Sequence, residues 1–353
     1  MDLNKRITAF SKLGQYIQNF LESRNPTGDN SASAKDDYTN FEQALVKAKH
    51  HNAWFTEKEV IRALVSWSQS LTDNNLSKWL KPYGKLQSGS SKTVAVIMAG
   101  NLPLVGFHDF LSVLVSGHHF LGKLSSSDAV LLPFLAEKLK EIEPGFSNRI
   151  QFTEGRLPEF DAVIATGSNN TSRYFEYYFS KKPNIIRKNR NAVAVLDGSE
   201  TKEELIALGE DIFAYFGLGC RSVSKLFVPE DYNLSTFFEG MYRYSDIINH
   251  HKYANNYDYN KTVYLMSDFK ILDNGFMVLK KDSGWSSPIS VIYFERYTNL
   301  DQLNSLIEEN QERIQCIVSG KKSGLGIPFG AAQQPNLWDY ADGVDTIEFL
   351  ATL

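Results

Sequence analysis

The sequence predicts an α/β protein that contains a doubly wound parallel sheet and a second α/β domain. One observation is the valine-rich run Thr93–Ala99, which ends at Gly100 and is typical of a strand buried on both faces. The other observation is the pattern beyond it, where short apolar runs alternate with stretches of helical spacing. That alternation is typical of a doubly wound sheet.

The elements around the first sheet follow in order along the chain. Asn25–Asp37 is a polar stretch with Gly, Ser and Pro that predicts a loop. Thr56–Leu80 has helical spacing and begins at a capping-box pattern, Thr56 with Glu59. The predicted strands are Thr93–Ala99, His119–Gly122, Arg149–Thr153, Ala162–Ala165, Ile185–Arg187 and Ala192–Leu196. The predicted helices are a stretch that ends near Val115, then Asp128–Glu141, Ser168–Phe179 and Thr201–Tyr215.

A second set of elements begins near Ser224 and predicts the second α/β domain. Val344–Leu350 is a β-like run after a Gly/Pro-rich loop, and we expect it to be a closing strand. The predicted strands are Ser224–Val228, Met277–Lys280, Ile289–Tyr293 and Gln315–Val318, with helices from Leu234 onward and over Leu300–Asn310. The predicted divisions are a helical region at residues 1–92, domains at 93–198 and 199–320, and a C-terminal return segment at 321–353.

Composition excludes several classes of protein. The chain of 353 residues has 37 Lys and Arg against 41 Asp and Glu, so its net charge of −4 gives no sign of a nucleic-acid or anionic-membrane partner. Two cysteines are too few for a disulfide scaffold. No stretch reaches the roughly 18 apolar residues of a membrane span, and the first residues lack the apolar core of a secretory signal. We therefore expect a cytoplasmic protein.

Cys220, in the segment Phe216–Ser222, is a candidate nucleophile. Two glycines before it permit a tight backbone turn, and Arg221 adjoins the thiol. A cationic neighbour and backbone N–H groups lower the pKa of a thiol and raise its thiolate fraction. The backbone N–H of such a Cys can also bind a developing oxyanion. The alternative is a buried structural cysteine, which is what the apolar run around Cys316 favours.

Two turns after predicted strands are candidate ligand sites. Asn101 lies in the turn after the first strand, where its amide could donate to a carbonyl oxygen that becomes negative. Thr166–Gly167–Ser168 leads into a helix, where Gly permits close approach of a phosphate. The alternatives are an ordinary turn and a plain helix cap. The adjacent His pairs at 118–119 and 250–251 do not share a face, so we predict no metal site.

From about Thr93 to Leu353, the sequence resembles the acyl-CoA reductase family. That family includes the fatty-acid reductase component of bacterial bioluminescence, and it belongs to the aldehyde dehydrogenase superfamily. The order and spacing of several segments carry the resemblance. These segments are Gly100–Asn101–Leu102–Pro103, Ala165–Thr166–Gly167–Ser168, Arg187–Lys188–Asn189–Arg190–Asn191, Gly217–Leu218–Gly219–Cys220–Arg221–Ser222 and Asp339–Tyr340–Ala341–Asp342–Gly343–Val344.

The resemblance implies an aldehyde-dehydrogenase-like fold and a role for particular residues. Cys220 resembles the catalytic Cys of the superfamily, and Asn101 resembles its oxyanion-hole Asn. Residues 93–198 would then be the dinucleotide-binding domain, and 199–320 the catalytic domain with the Cys nucleophile. Pro328–Phe329–Gly330 resembles a loop near the substrate entrance.

Cofactor-binding residues are also implied by the resemblance. Lys123, followed by Ser125, resembles the Lys-Pro-Ser segment that holds the adenosine ribose, with Leu124 in place of Pro. Thr166–Gly167–Ser168 resembles the turn that meets the pyrophosphate. The cofactor implied is NADPH, with NADH as the alternative.

The sequence departs from aldehyde dehydrogenases at two carboxylates. The general-base Glu is absent from Ile185–Asn191, and the cofactor-holding Glu is absent near Ser286–Ser287–Pro288. Oxidation of an aldehyde needs a base that activates water to hydrolyse the acyl-enzyme, whereas reduction of a thioester does not. The missing base therefore favours acyl reduction over aldehyde oxidation.

The implied reaction is the reduction of an acyl-CoA or acyl-carrier thioester to an aldehyde through an S-acyl-Cys220 intermediate. The resemblance also implies a homo-oligomer and a partner acyl-transfer or synthetase enzyme. Two other functions stay open. One is an acyltransferase or thioesterase that uses Cys220 without nicotinamide, and the other is a non-catalytic subunit of a reductase complex.

Overall fold

The computed structural model describes residues 1–24, 38–84, 86, 91–320 and 323–353. The loop predicted at Asn25–Asp37 lies outside the described residues. The α-helices are α1 (Leu3–Ser23), α2 (Thr39–His51), α3 (Glu57–Ser70), α4 (Asp73–Leu80), α5 (Phe107–Val115), α6 (Leu131–Ile142), α7 (Asn169–Phe179), α8 (Lys202–Phe213), α9 (Leu234–Met241), α10 (His251–Met266), α11 (Leu300–Glu309) and α12 (Thr346–Ala351).

Strands and helices alternate from the first strand onward, which confirms the predicted α/β class. The strands of the described ranges are β1 (Thr93–Ile97), β2 (His119–Lys123), β3 (Ile150–Thr153), β4 (Ala162–Thr166), β5 (Asn184–Arg187), β6 (Asn191–Val195), β7 (Val223–Pro229), β8 (Ile271–Asp273), β9 (Val278–Lys281), β10 (Val291–Tyr297), β11 (Ile314–Ser319) and β12 (Ile327–Pro328).

The chain divides into two compact units. The first unit comprises Met1–Lys188 and Asn336–Leu353, and the second comprises Asn189–Pro335. The predicted boundary at 198/199 differs, because β6 pairs with β7 and β11 in the second sheet and not with β5. A strand that is buried on both faces has the same apolar pattern in either sheet, so its pattern does not tell which sheet it joins.

The first unit is built on a parallel sheet with the strand order β3-β2-β1-β4-β5. One apolar cluster takes in residues of α1 to α6, the central strands and α12, and a smaller cluster, which includes Ala95, Leu121 and Val163, packs against α7. The N-terminal helices at residues 1–92 therefore share a core with this sheet. Among these, the single helix predicted over Thr56–Leu80 is two helices, because the Thr72 hydroxyl caps a new one at the Asn75 N–H (3.2 Å).

The second unit is built on a sheet with the order β12-β11-β6-β7-β10-β9-β8, parallel except where β8 meets β9. Helices cover both faces. Along β6, Ala192 and Ala194 pack in the cluster that includes α8 and α9, whereas Val193 and Val195 pack in the cluster that includes α11. This alternation is the two-residue period of a strand buried on both faces.

The C-terminal run Val344–Leu350 is helical, so the predicted closing strand is wrong. Asp345 caps α12 by accepting a hydrogen bond from the Glu348 N–H (2.9 Å). Ile347 and Leu350 are buried at helical spacing in the first core. Across the described ranges, no helix combines the length and apolarity needed to cross a membrane.

Candidate active site

Cys220 lies in the second unit, in a turn between α8 and β7. We name Tyr215–Ser222 the Cys220 turn. Tyr215, Phe216 and Gly217 have φ values of 52°, 58° and 75°, and non-glycine residues rarely adopt this left-handed backbone. Cys220 itself is exposed. The turn therefore presents an exposed cysteine on a strained backbone that the surrounding structure must hold in place.

The end of the Cys220 turn is closed by Ser222, which is buried. Its hydroxyl accepts a hydrogen bond from the Gly219 N–H (3.2 Å), and its own N–H donates to the Gly219 carbonyl (3.0 Å). The side-chain amide of Gln333 also donates to the Ser222 hydroxyl (3.5 Å). Ser222 thus links the turn to a second segment of the chain.

That second segment is Gly330–Gln333, which we name the strap. Arg221 Nε donates to the Ala332 carbonyl (2.5 Å). The sequence suggested that Arg221 acts on the adjacent thiol, but the structure gives its guanidinium group a partner in the strap. Arg221 therefore ties the Cys220 turn to the strap.

The backbone of the strap is hydrogen-bonded to Asp211, a fully buried residue near the end of α8. Its two carboxylate oxygens accept hydrogen bonds from the Gly330 N–H (2.6 Å) and the Ala332 N–H (2.9 Å). Burial raises the pKa of Asp211 to about 6, although the two N–H donors act against this rise. A buried carboxylate thus organises the backbone that contacts the Cys220 turn.

A small cavity of about 20 Å³ lies beside the Cys220 turn. This volume is enough for about one water molecule. Phe216 and Gly217 line one side, and the loop Ser287–Ser290 lines another. Phe216 packs its ring on His250, with 4.4 Å between ring centroids. Tyr253 of α10 also lines the cavity, and its side chain is buried.

Lys225 has a fully buried side chain on β7, just after the Cys220 turn. Its Nζ donates to the carbonyl oxygens of Asp282 (3.4 Å) and Gly284 (3.1 Å) and pairs with the Glu295 carboxylate. Burial lowers the pKa of Lys225, and the Glu295 carboxylate opposes that effect. The buried ammonium group fixes residues 282–284 against β7.

Asn101 lies in the first unit, in the turn Gly100–Leu104 that follows β1, which we name the Asn101 turn. Asn101 is exposed. The side-chain amide of buried Asn52 donates to the Gly100 carbonyl (3.1 Å). A Cβ on Gly100 would lie 2.3 Å from the Ser125 hydroxyl oxygen, so only glycine fits without a shift.

The far end of the Asn101 turn is held by Asp128. Leu104, which has a φ of 59°, donates its N–H to Asp128 Oδ2 (3.2 Å). Asp128 Oδ1 is buried and has no hydrogen-bond partner. Burial raises the pKa of this carboxyl group to about 7, with the Leu104 N–H opposing the rise.

Lys123 and Ser125 lie next to the Asn101 turn in the first sheet. Lys123 is the last residue of β2 and is paired in register with Ile97 of β1. Its Nζ donates to the carbonyl oxygens of Glu154 (3.4 Å) and Gly155 (2.5 Å). The Ser125 hydroxyl accepts from the Ser127 N–H (3.3 Å).

The turn Thr166–Gly167–Ser168 follows β4, the other neighbour of β1. The Ser168 hydroxyl caps α7 at the Thr171 N–H (3.2 Å). A Cβ on Gly167 would lie 3.0 Å from Phe175 and Thr171 side-chain atoms. The candidate residues of the first unit thus gather at the carboxyl ends of β1, β2 and β4, the edge where open parallel sheets bind ligands.

Arg187 lies in the segment where the sequence lacks a general base. Its guanidinium group forms two hydrogen bonds with the Asp109 carboxylate (2.6 and 2.8 Å), and both side chains are nearly buried. It also donates to the Thr346 hydroxyl (3.1 Å). This bidentate pair joins β5, α5 and α12, so the segment has a structural role in the first unit.

Sequence reasoning missed three buried charged residues that support these turns: Asp128, Asp211 and Lys225. Lys225 interrupts an apolar strand, and Asp211 lies on the buried face of α8. Charged side chains are rarely buried without partners, so an ionisable residue on an apolar face is the signal that points to them. Within the described part of the chain, His, Cys, Asp and Glu form no group of three or more that could hold a metal ion.

The aldehyde dehydrogenase fold is shared with several solved structures. Aldehyde dehydrogenase 21 from Physcomitrella patens, in complex with the reaction product succinate, matches with a TM-score of 0.69 and 13% identity, over 100% of this chain and 84% of that chain. The Mycobacterium tuberculosis aldehyde dehydrogenase complexed with NAD+ matches with a TM-score of 0.62 and 12% identity, over 90% and 73%. The Bacillus cereus aldehyde dehydrogenase in its NAD+ complex matches with a TM-score of 0.62 and 14% identity, over 92% and 73%.

A family model identifies the chain more closely. The model described as acyl-CoA reductase (LuxC) matches residues 30–239, which is more than half of the 353-residue chain. No curated protein matches the sequence. The family and the fold together support an oxidoreductase that acts at the aldehyde or acyl level. The chain belongs to the acyl-CoA reductase (LuxC) family and has the fold of the aldehyde dehydrogenases.

Proposed function

We propose that this protein is a nicotinamide-dependent acyl-CoA reductase that reduces an acyl thioester to an aldehyde through an S-acyl-Cys220 intermediate. One observation carries the proposal: a member of the acyl-CoA reductase family holds an exposed Cys220 on a left-handed turn. Strained backbone of this kind occurs often at sites of chemistry.

In the first step, the Cys220 thiolate attacks the acyl carbon of an acyl-CoA or acyl-carrier thioester. The bond between that carbon and the carrier sulfur breaks, and the carrier leaves as a thiol after it takes up a proton. The product is an acyl group on Cys220 Sγ. Transfer from one thioester to another is close to balanced in energy, so the protein's main task is to stabilise the intermediate.

The tetrahedral intermediate carries a negative oxygen. In this proposal, the Cys220 backbone N–H and the Asn101 side-chain amide donate hydrogen bonds to it. Loss of one such donor typically raises the barrier by about 3 kcal/mol. The anchoring of the Asn101 turn by Asn52 and Asp128 supports this role, because an oxyanion donor is effective only when its position is fixed.

The reductant is proposed to be NADPH, with NADH as the alternative. The residues at the edge of the first sheet fit a dinucleotide: Lys123 and Ser125 would hold the adenosine ribose, and Thr166–Gly167–Ser168 would meet the pyrophosphate. Gly167 has no side chain that would block an anionic group, and the N-terminus of α7 would attract one. A reduced nicotinamide held there would supply a hydride to the acyl carbon, and collapse of the resulting thiohemiacetal would release the aldehyde and return Cys220 to the thiolate.

The lack of a base in the Ile185–Asn191 segment supports reduction over hydrolysis. Arg187 there is occupied by Asp109, and no carboxylate replaces the general base of aldehyde dehydrogenases. Without a general base to activate water, the acyl-enzyme is expected to be reduced and not hydrolysed. The proposal includes a cytoplasmic location, which is expected from the sequence, and it includes a homo-oligomer and a partner that transfers or activates acyl groups, which rest on the family relationship alone.

Intact mass spectrometry tests the proposal. The protein is mixed with a panel of acyl-CoAs of different chain length, and one of them is expected to add its acyl mass to the chain. A chase with NADPH or NADH is then expected to remove that mass and release the aldehyde. Cys220→Ala should abolish the adduct completely while it retains the fold and nucleotide binding.

Cys316→Ala is the matched control, because Cys316 lies within β11. This variant is expected to acylate at the wild-type rate. An acyl adduct that water or a second thiol removes without nicotinamide consumption would favour an acyltransferase or thioesterase instead. Full turnover by Cys220→Ala would overturn the mechanism.

A further inference from the structure

The Cys220 turn, the strap and Asp211 form a continuous chain of hydrogen bonds within the second unit. Asp211 accepts from the backbone N–H groups of Gly330 and Ala332, and Arg221 donates to the carbonyl of the same Ala332. The Ala332 residue is therefore fixed on both sides of its backbone. A second link runs from Gln333 to the Ser222 hydroxyl.

The strap has little freedom to adopt another arrangement. Gly330 has a φ of 85°, and a Cβ there would lie 3.1 Å from Ala207 Cβ on α8. Ala332 is fully buried in the core of the second unit. The strap is thus packed against α8 at Gly330, and Ala332 lies in the same core.

The burial of Asp211 at this position is energetically unfavourable. It is fully buried, and it has no lysine or arginine within salt-bridge distance in the described residues. An ionised carboxylate in such surroundings loses much of its hydration energy. Replacing it by an apolar side chain would avoid that cost but would leave two buried N–H groups without acceptors.

We propose that Asp211 is a positioning residue for Cys220. Its carboxylate fixes the strap, and the strap fixes the Cys220 turn at Arg221 and Ser222. This inference rests on the proposed role of Cys220 as the nucleophile. It assigns Arg221 to the alignment of the turn, in place of direct activation of the neighbouring thiol.

The ionisation of Asp211 is part of this arrangement. The carboxylate accepts two N–H bonds, whereas the protonated form places a hydroxyl donor against one of them. The charged groups that act on Asp211 are Glu210 on its own helix and Arg221 on the turn, and their effects have opposite signs. The alignment of Cys220 should therefore weaken as the pH falls through the Asp211 pKa of about 6.

The test compares wild type with Asp211→Asn, both in a Cys316→Ala background that leaves Cys220 as the remaining cysteine. Acyl-enzyme formation and alkylation by iodoacetamide are each followed from about pH 5 to about pH 9. We expect Asp211→Asn to acylate about a hundredfold more slowly, which is a typical cost of a misplaced reacting group. Plotted against pH, the wild-type rates should change slope near pH 6, and we call this change of slope the bend. The rates of the variant should lack the bend, because an amide does not ionise there.

Glu203→Gln is the matched control, because Glu203 is an exposed carboxylate on the same helix. It should retain the wild-type rate and the bend. The double variant Arg221→Met/Gln333→Ala separates positioning from folding: it leaves Asp211 in place but removes both side-chain links between the turn and the strap, so the bend should also disappear. It gives the same answer if Asp211→Asn does not fold.

Either of two results would overturn the inference: a wild-type acylation rate in Asp211→Asn, or a bend near pH 6 that persists in Asp211→Asn or in the double variant Arg221→Met/Gln333→Ala. The alkylation arm needs neither an acyl donor nor nicotinamide. If none of the acyl-CoAs acylates the wild-type protein, the proposed function fails. The pH profiles of alkylation would still decide the role of Asp211.

Discussion

The Cys220 turn and the Asn101 turn are supported in the same way but to different degrees. Each has a non-glycine residue with positive φ, and each depends on a buried aspartate that accepts backbone N–H groups. Asp211 has both oxygens satisfied, whereas Asp128 has one oxygen without a partner. The pKa of Asp211 is raised to about 6 and that of Asp128 to about 7.

The number of N–H donors contributes to this difference between the two buried carboxyl groups. Both groups are raised by burial, and the group with two donors is raised less because each N–H stabilises the charged form. Near neutral pH, Asp211 is therefore mainly a carboxylate, while Asp128 is close to its midpoint. The Cys220 turn is held firmly at physiological pH, and the Asn101 turn is held by a group that is still titrating.

The sharpest way to break the comparison is to remove the Asn101 side chain, which is the proposed oxyanion donor. Asn101→Ala is expected to slow acylation of Cys220 by about a hundredfold to a thousandfold, because one oxyanion donor is lost. The acyl-enzyme should still form on long incubation, in contrast to Cys220→Ala. Stopped-flow mixing followed by intact mass measurement gives the rate. Asn74→Ala, at an exposed position of α4, is the control and should have no effect.

A smaller effect is expected when the backbone of the Asn101 turn is displaced without any change to Asn101. Gly100→Ala places a Cβ 2.3 Å from the Ser125 hydroxyl, so the turn must shift. We expect a loss of about 1 to 3 kcal/mol in the free energy of unfolding and about a tenfold slower acylation. Gly155→Ala is the matched control, because a Cβ there meets nothing within 4 Å. Equal behaviour of the two variants would contradict the packing argument.

The smallest effect concerns Asp128 and tests the titration directly. Its pKa in the folded state is raised to about 7 above the ordinary value of 3.8, so the protonated form favours folding, and this stability is lost as the pH rises through 7. Asp128→Asn removes the titration. Its free energy of unfolding relative to wild type should therefore increase by about 1.4 kcal/mol for each pH unit between about 4 and about 7, and should level off above pH 7, where Asp128 is ionised in both the folded and the unfolded state.

Urea denaturation at about pH 5 and at about pH 7 measures this change in relative stability. Asp258→Asn, at an exposed position of α10, should show no such dependence on pH. A constant difference between Asp128→Asn and wild type at both pH values would show that Asp128 is already ionised throughout, and the comparison with Asp211 would then fail.

Much of the fold follows from the local pattern. The strands from β1 to β5 lie close to their predicted bounds, because buried parallel strands are short apolar runs that end at Gly, Thr or charged residues. Two features did not follow. The sequence of β6 does not indicate which sheet the strand joins. The apolar residues of Val344–Leu350 are compatible with a strand, but Asp345 caps this segment as a helix.

The candidate site was predictable to the same extent. The positions of Asn101, Lys123 and Thr166 at strand ends follow from the chain order, although their roles stay predictions. The support of the Cys220 turn did not follow, because Asp211 and Ala332 are 121 residues apart and their hydrogen bond leaves no local pattern. Sequence adjacency instead suggested that Arg221 acts on the thiol.

The chain order of the two units has a consequence for synthesis on the ribosome. The second unit is interposed between the two segments of the first, since residues 336–353 return to the first unit. All residues of the second unit have been synthesised once residue 335 is added. The Arg187–Asp109 pair gains its hydrogen bond to Thr346 only later, because Thr346 lies 159 residues beyond Arg187. Because domains generally fold as units during translation, the first unit can be completed only after every residue of the second unit has been synthesised.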